Sequence, residues 1–237
     1  MKIYCNIAGL TVEINSFGRV IDQAQPYMIE QPSKVDFAVE TDWTRIKALC
    51  PHLSDEDCEY VGTGASFYRQ LLNFEGLMLH SSAVVADGKA YLFSANSGTG
   101  KSTHTGLWLE LFGERAFILN DDKPALRKVD GVWYAYGTPW SGKNNVNANA
   151  CAPLAGIACL ERGERNRIHP FVGQETVLSI LRQCNRPKAI EYRSKLLSLV
   201  DQLITEVPIW KLSCNMDPEA AIVSYEAMSG QKWRSYL

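Results

Sequence analysis

A chain of 237 residues has room for one large domain or two small ones. Apolar residues make up 46% and charged residues 21%, a balance that can bury a core and excludes a disordered chain. The net charge of −2 and the isoelectric point of about 6.1 give no bulk attraction to nucleic acid.

No apolar run approaches the roughly 18 residues that a membrane span needs. The first ten residues carry one lysine and an apolar stretch interrupted by Asn6, so they do not read as a secretory leader. The seven cysteines are odd in number and contain no C-x-x-C pair. They read as small buried side chains in a reducing compartment rather than as disulfides or a zinc site. The expected location is cytoplasmic.

In chain order, residues 3–7 and 10–14 are short apolar runs parted by Ala8-Gly9, which predicts a hairpin. Residues 35–39 add a strand. Residues 42–48 and 55–74 read as helices, the second with an apolar face of Phe67, Leu71, Leu72 and Phe74. Strands are expected over 77–85 and 89–94, joined by the hairpin dipeptide Asp87-Gly88. A helix follows over 102–112 and closes at Gly113. Residues 117–119 form a short buried strand ending in Asn120-Asp121-Asp122. Residues 125–128 and 132–136 bracket Asp130-Gly131 as another hairpin. Residues 137–143, G-T-P-W-S-G-K, read as a loop, 154–160 as a strand, and E-R-G-E-R-N-R after it as a charged turn. Helical periodicity runs from 176 to about 204, a last strand covers 208–214, and Asp217-Pro218-Glu219 is expected to cap a final helix. The prevalence of hairpins predicts a mixed sheet. The expected architecture is α/β, with a β-rich N-terminal extension over 1–75 packed on a core over 76–237.

The informative segment is Asn96-Ser97-Gly98-Thr99-Gly100-Lys101-Ser102-Thr103. It follows an apolar strand and opens a helix, the setting of a phosphate-binding P-loop. Small residues let successive N–H groups wrap an anion, and the helix presents its positive end to the same phosphates. In such a loop Lys101 reaches the β- and γ-phosphates and the Ser102 hydroxyl sits on Mg²⁺. Ala95 stands where the pattern has its first glycine. Asp121 and Asp122 come 20 and 21 positions after Lys101, at a strand end, the usual place of a Mg²⁺ ligand. At a strand end both can turn inward, one toward the metal and one to take a proton from a hydroxyl. The same N-D-D-K-P also reads as a plain turn. His80 falls at the loop's end of the sheet if its strand pairs antiparallel with residues 89–94. Lys143 is a candidate second cation at a transferring phosphate, on a loop that Gly137 and Gly142 would leave free to close, with Trp140 stacking on a ligand or excluding water. His104 is expected near phosphate. Arg162, Arg165 and Arg167 read as a solvated turn.

With His80, the loop and the aspartate pair together, the chain resembles the HPr kinase/phosphorylase-like group, which shares a P-loop core with ATP-dependent phosphoenolpyruvate carboxykinases. The matching residues are Leu79-His80-Ser81-Ser82-Ala83-Val84, then the loop, then Asp121-Asp122, and the likeness spans about a third of the chain, roughly residues 80–160. The resemblance implies ATP and Mg²⁺ as cofactors, with residues 97–102 gripping the β/γ-phosphates. It also implies that one aspartate is a general base toward a serine-type hydroxyl, with His80 close by, and, by analogy with relatives that form rings, a homo-oligomer. The I-E-I-R-G-L-G signature of true HPr kinases is absent, and G-T-P-W-S-G-K stands in its place. The tail V-P-I-W-K-L-S-C-N-M-D-P-E-A-A resembles that of short HPr-kinase-like proteins found beside peptide-maturation genes. HPr is therefore not the expected acceptor.

The expected activity is a Mg²⁺-dependent kinase moving the γ-phosphoryl group of ATP to a hydroxyl on a peptide, a protein or a small molecule. The alternative is a nucleotide-binding regulatory module without transfer, and the retained aspartate pair argues against it. No N-K-x-D guanine reader is present.

Overall fold

Ala8 and Gly9 both take positive φ, 54° and 72°, the mirror-image turn whose twist matches that of flanking strands. It joins β1 (Lys2–Ile7) to β2 (Leu10–Asn15) in an antiparallel pair. A short helix α1 (Arg19–Ala24) and an edge strand β3 (Met28–Ile29) follow, then β4 (Phe37–Val39), which runs parallel to β2. The sheet order is β3-β1-β2-β4. The computed structural model describes residues 1–233.

Helix α2 (Trp43–Leu49) begins after Asp42, whose carboxylate accepts the Arg45 N–H at 3.2 Å. Helix α3 (Asp55–Leu71) begins after Ser54, which accepts the Asp57 N–H at 3.0 Å, and three acidic residues sit in its first turn. Both starts use a side-chain oxygen to satisfy an orphan donor, and the acids complement the positive helix end. Alternate residues of the hairpin (Ile3, Cys5, Ile7, Val12, Ile14) are buried against Phe67, Tyr68 and Leu71 of α3.

The chain continues through β5 (Gly76–Met78), β6 (Ser81–Ala86), β7 (Lys89–Ser94), α4 (Lys101–Phe112), β8 (Ala116–Asn120), β9 (Ala125–Val129) and β10 (Val132–Tyr136). The remainder is β11 (Cys151–Arg162), β12 (Arg167–Pro170), α5 (Gln174–Gln183), α6 (Ile190–Glu206), β13 (Ile209–Cys214) and α7 (Glu219–Ser229). The nine strands form one mixed sheet in the order β5-β9-β10-β11-β7-β6-β8, with β13 on β11 and β12 on β13. Strand β11 is the pivot. Its residues 151–153 pair antiparallel with β10, and from Leu154 onward it runs parallel to β7 and β13, so the sheet curls about it.

Both faces of the central strands are covered, which is why residues 90–93 read as an unbroken apolar run. Tyr91 and Phe93 pack with Trp108 and Phe112 of α4 and Tyr225 of α7. Ala90 and Leu92, pointing the other way, join Ile180 of α5 and Leu196, Leu199 and Leu203 of α6.

Four expectations change. The strand predicted over 77–85 is two strands. The His80 N–H leaves the sheet for the Gln183 carbonyl at 2.8 Å, and Leu79 bridges to Cys184, so β5 pairs with β9 while β6 pairs with β7 and β8. The helical stretch over 176–204 is α5 and α6, separated at 184–189, where Pro187 removes a donor and biases Arg186 away from helical geometry. The charged turn is shorter than expected, because Arg167–Pro170 joins the sheet with Ile168 opposite Leu212. Asp217 does not cap α7; Pro218 holds that position, and the Asp217 carboxylate accepts from Asn215 Nδ2 at 2.6 Å. Among the described residues no helix is long and apolar enough to cross a membrane, and all seven cysteines are free thiols.

Candidate functional site

Strand β7 ends at Ser94, and residues 95–100 turn the chain into α4. Gly98 and Gly100 take φ of +75° and +120°, a region that side chains disfavour, so the turn depends on glycine there. Lys101 folds back over the loop: its ammonium donates to the Ala95 carbonyl at 3.1 Å and the Asn96 carbonyl at 3.4 Å. The Ala95 methyl is accommodated because it is buried in the same core as Trp108. From β11, Arg162 donates to the Gly98 carbonyl at 2.5 Å and the Thr99 carbonyl at 3.3 Å, which fixes the outer side of the loop. The first bonded α4 amide is that of His104, to the Gly100 carbonyl; the amides before it face out of the helix start.

The aspartates are placed by Asn120. Its Oδ1 accepts the N–H groups of Asp122 (3.0 Å) and Lys123 (2.7 Å), and its Nδ2 donates to the Thr138 carbonyl at 2.9 Å. The turn that N-D-D-K-P suggests is thus the device that directs both carboxylates into one cavity. Asp121 Oδ1 accepts from Ser82 Oγ at 2.5 Å, and Ser82 lies 2.9 Å from Thr105 Oγ1 on α4. Asp122 Oδ1 lies 3.2 Å from His80 Nε2, and its Oδ2 pairs with the Lys123 ammonium. Burial works against the Asp122 charge, but His80 and Lys123 outweigh it and hold the carboxyl below its ordinary pKa. Burial also pulls the Lys101 ammonium below its usual value, against the opposing pull of Asp122 and Asp121.

A cavity of about 840 Å³ collects His80, residues 97–104, Asp121, Asp122 and Lys143, and extends past Arg162 to Asn215 and Met216. Asn96 does not line it. Its Oδ1 accepts from Gln183 Nε2 at 3.0 Å, and Gln183 Oε1 lies 2.9 Å from His80 Nδ1. A hydrogen-bonded chain therefore runs Asn96–Gln183–His80–Asp122, and because an ionised carboxylate can only accept, Nε2 is the donor in the contact between His80 and Asp122. Sequence reasoning missed Gln183, Lys123, Ser82 and the role of Arg162. Lys123 was readable from its adjacency to the aspartates, whereas nothing in the sequence links Gln183 to His80, 103 positions away.

No protein-family model matches the chain, and no curated protein matches it. Among solved structures it is similar to the HPr(Ser) kinase/phosphatase from Coxiella burnetii, at 14% identity and a TM-score of 0.34, over 65% of this chain and 93% of that one.

The segment 137–143 is anchored rather than free. Trp140 is fully buried, stacked on Phe67 of α3 with ring centroids 4.7 Å apart, and its Nε1–H donates to Thr63 Oγ1 at 3.2 Å. It points away from the cavity, so it neither stacks on a ligand nor screens one from water. Gly64 in mid-helix makes room for it: a Cβ there would come within 2.9 Å of the indole. A Cβ on Gly137 would lie 1.8 Å from the Ala148 carbonyl, so that glycine permits close packing, not motion. The Gly142 N–H donates to the Tyr60 hydroxyl at 2.9 Å, and Gln23 Nε2 donates to the Gly142 carbonyl at 2.9 Å. Lys143, exposed at the cavity wall, is the free end of this anchored segment.

His104 lines the cavity next to the loop, but its ring nitrogens are engaged in the core rather than presented to a ligand. Its ring is buried beside Phe93, with Nε2 3.0 Å from Ser224 Oγ, and burial lowers its pKa to about 4. The charged form is disfavoured in the folded state, so the unfolded chain binds the extra proton first as pH falls. Stability associated with His104 is present above the unfolded value near 6.5 and declines until the pH reaches about 4. The total change is about 3 kcal/mol at most. Urea titrations between pH 7 and 4 are expected to show a smaller fall in midpoint for His104→Gln than for wild type. Parallel curves would remove His104 from the acid sensitivity.

Proposed function

We propose that the chain is an ATP-dependent phosphotransferase that moves the γ-phosphoryl group to a hydroxyl on a peptide, a protein or a small molecule. One observation carries this reading: the Lys101 loop, the start of α4 and two carboxylates converge on a single cavity. The loop has the form of a phosphate-binding P-loop, with Lys101 buried under it and free amides ahead of His104.

In this reading residues 97–103 hold the phosphates, and the Lys101 ammonium moves from the loop carbonyls to the β- and γ-oxygens. Asp121 is tied through Ser82 to Thr105, one helical turn beyond Ser102, so Asp121 and the exposed Ser102 hydroxyl form the metal side. Among the described residues no group of three or more His, Cys, Asp or Glu is arranged to hold a metal. That donor set suits Mg²⁺, which keeps waters and takes one or two protein ligands beside substrate phosphates. When bound, Mg²⁺ neutralises charge on the phosphate oxygens.

Asp122 faces the acceptor side, beside Gly142 and Lys143. It is a carboxylate at neutral pH, held charged by His80 and Lys123 against burial, and takes the acceptor proton as the new bond to phosphorus forms. The acceptor oxygen bonds to phosphorus, the bond from phosphorus to the bridging oxygen breaks, ADP leaves, and the hydroxyl proton passes to Asp122. Lys143 opposes the charge that spreads over the transferring group.

The test uses a fluorescent ATP analogue for binding and γ-labelled ATP with an extract of the source cells for transfer. Lys101→Ala is expected to weaken nucleotide binding roughly tenfold or more, because a hydrogen bond to a charged group contributes about 1.5–3 kcal/mol. Unchanged affinity in Lys101→Ala would overturn the loop assignment. Binding without transfer to any fraction would favour a regulatory module instead.

A further inference from the structure

The cavity between α5 and α6 lies outside the site described above. It has a volume of about 700 Å³ and is rimmed by Arg182, Arg186, Lys188 and Arg193 over an apolar floor that includes Leu178 and Leu197. No acidic side chain lines it. Among the described residues none of the four cations is in an ion pair. In a chain of net charge −2, four positive charges around a groove whose lining holds no carboxylate form a local field of opposite sign to the whole. Leu178 and Leu197 are 52% and 55% exposed, so apolar surface faces solvent between those charges.

The groove also leads toward the site. Leu178 and Arg182 also line a second cavity, of about 480 Å³, together with Asn96, Gln183, Lys211 and the carboxylates Glu161 and Glu175, so the uncompensated positive charge is confined to the groove itself. Gln183 is the residue that bonds both Asn96 and His80, and Cys184 bridges to Leu79. The end of α5 thus contacts His80 and Asn96, and the connector that follows it carries Arg186 and Lys188.

We propose that this groove docks an acidic segment of the phosphoryl acceptor that carries apolar side chains, which makes the acceptor a peptide or protein rather than a small molecule. The inference rests on the phosphotransferase reading for the word acceptor, but the docking itself needs no catalysis. Carboxylates of the segment meet the four cations, and its apolar side chains cover Leu178 and Leu197. Such charge pairing steers encounter and sets specificity while the apolar floor supplies area. The hydroxyl to be modified then lies beyond the α5 connector, toward His80 and Asp122.

The experiment is selection of a displayed random ten-residue peptide library on the full chain, and on the same chain carrying Arg186→Glu and Lys188→Glu. Both positions are exposed, and nucleotide binding by the variant is measured alongside as a control for folding. The expected result is enrichment of Asp and Glu interspersed with large apolar residues. Selected peptides should lose about tenfold or more in affinity for the variant. Their binding should also weaken as salt rises from 0.1 to 1 M, where the screening length falls from about 10 to about 3 Å. No enrichment, enrichment without acidic residues, or equal selection by the variant would overturn the proposal. So would tighter binding to phosphatidylserine vesicles than to any selected peptide, which would make the groove a membrane contact. Failure of nucleotide binding or transfer in the wild type bears on the phosphotransferase reading alone, because the peptide selection is read without nucleotide.

Discussion

Replacing Asp122 with asparagine is expected to lower phosphoryl transfer about a thousandfold while nucleotide affinity stays within about threefold of wild type. The side chain keeps its size and one oxygen, so the His80 contact can survive as a hydrogen bond. What is lost is the proton acceptor, whose removal typically lowers a rate by about 10²–10⁴. The Lys123 ammonium also loses its ionic partner, and Lys101 loses one of the two charges that favour its protonated form against burial. A melting temperature measured alongside separates these effects from chemistry. If nucleotide binding collapses in Asp122→Asn while Asp121→Asn retains it, the carboxylate serves to hold the lysines together and is not the base. Full transfer by both variants would remove the mechanism.

Trp140→Ala is expected to destabilise the fold by about 3–5 kcal/mol, the range seen when a large buried aromatic is truncated. The loss includes the stacking on Phe67, the hydrogen bond to Thr63, and the void that Gly64 leaves unfilled. The second effect is on the site, because Trp140 stands three residues before Lys143. Transfer should fall further than stability alone accounts for, while nucleotide affinity, which depends on Lys101, is retained. Trp140→Phe should recover most of the stability. Denaturant midpoints give the first quantity and single-turnover transfer by the folded protein gives the second. A Trp140→Ala variant with wild-type stability would show that the loop has another anchor.

The parts legible in the sequence share a property: their signals are local. Ala8-Gly9, Asp87-Gly88 and Asp130-Gly131 each take two consecutive positive φ values and make the hairpins their residue types predict. The apolar run before Ala95 and the Gly98–Lys101 turn need only neighbours in sequence, and they led directly to the loop. The mixed sheet followed from counting hairpins. What stayed hidden depends on distant partners. The strand expected over 77–85 breaks at His80, whose backbone bonds to Gln183, a residue with no local mark. Trp140 looked like a loop aromatic because its berth on Phe67 and Gly64 belongs to a helix some 70 residues earlier. The break at Pro187 was within reach, since proline bears on the residue before it, but the apolar periodicity on either side concealed it.

The two-residue turn at Asp87-Gly88 lies at the far end of β6 and β7 from every group discussed above. The register it sets pairs Ser81 with Ser94. His80 immediately precedes the first of these residues, and the glycine-rich loop departs from the second. The turn therefore acts as a gauge: strand lengths being equal, it decides how the histidine is indexed against the loop. One residue added there would shift that alignment and turn one strand's side chains to the opposite face. The tolerance of the site is thus set partly where no ligand reaches. A surface insertion that touches nothing in the cavity would misalign it by geometry alone, with no signal passing through the molecule.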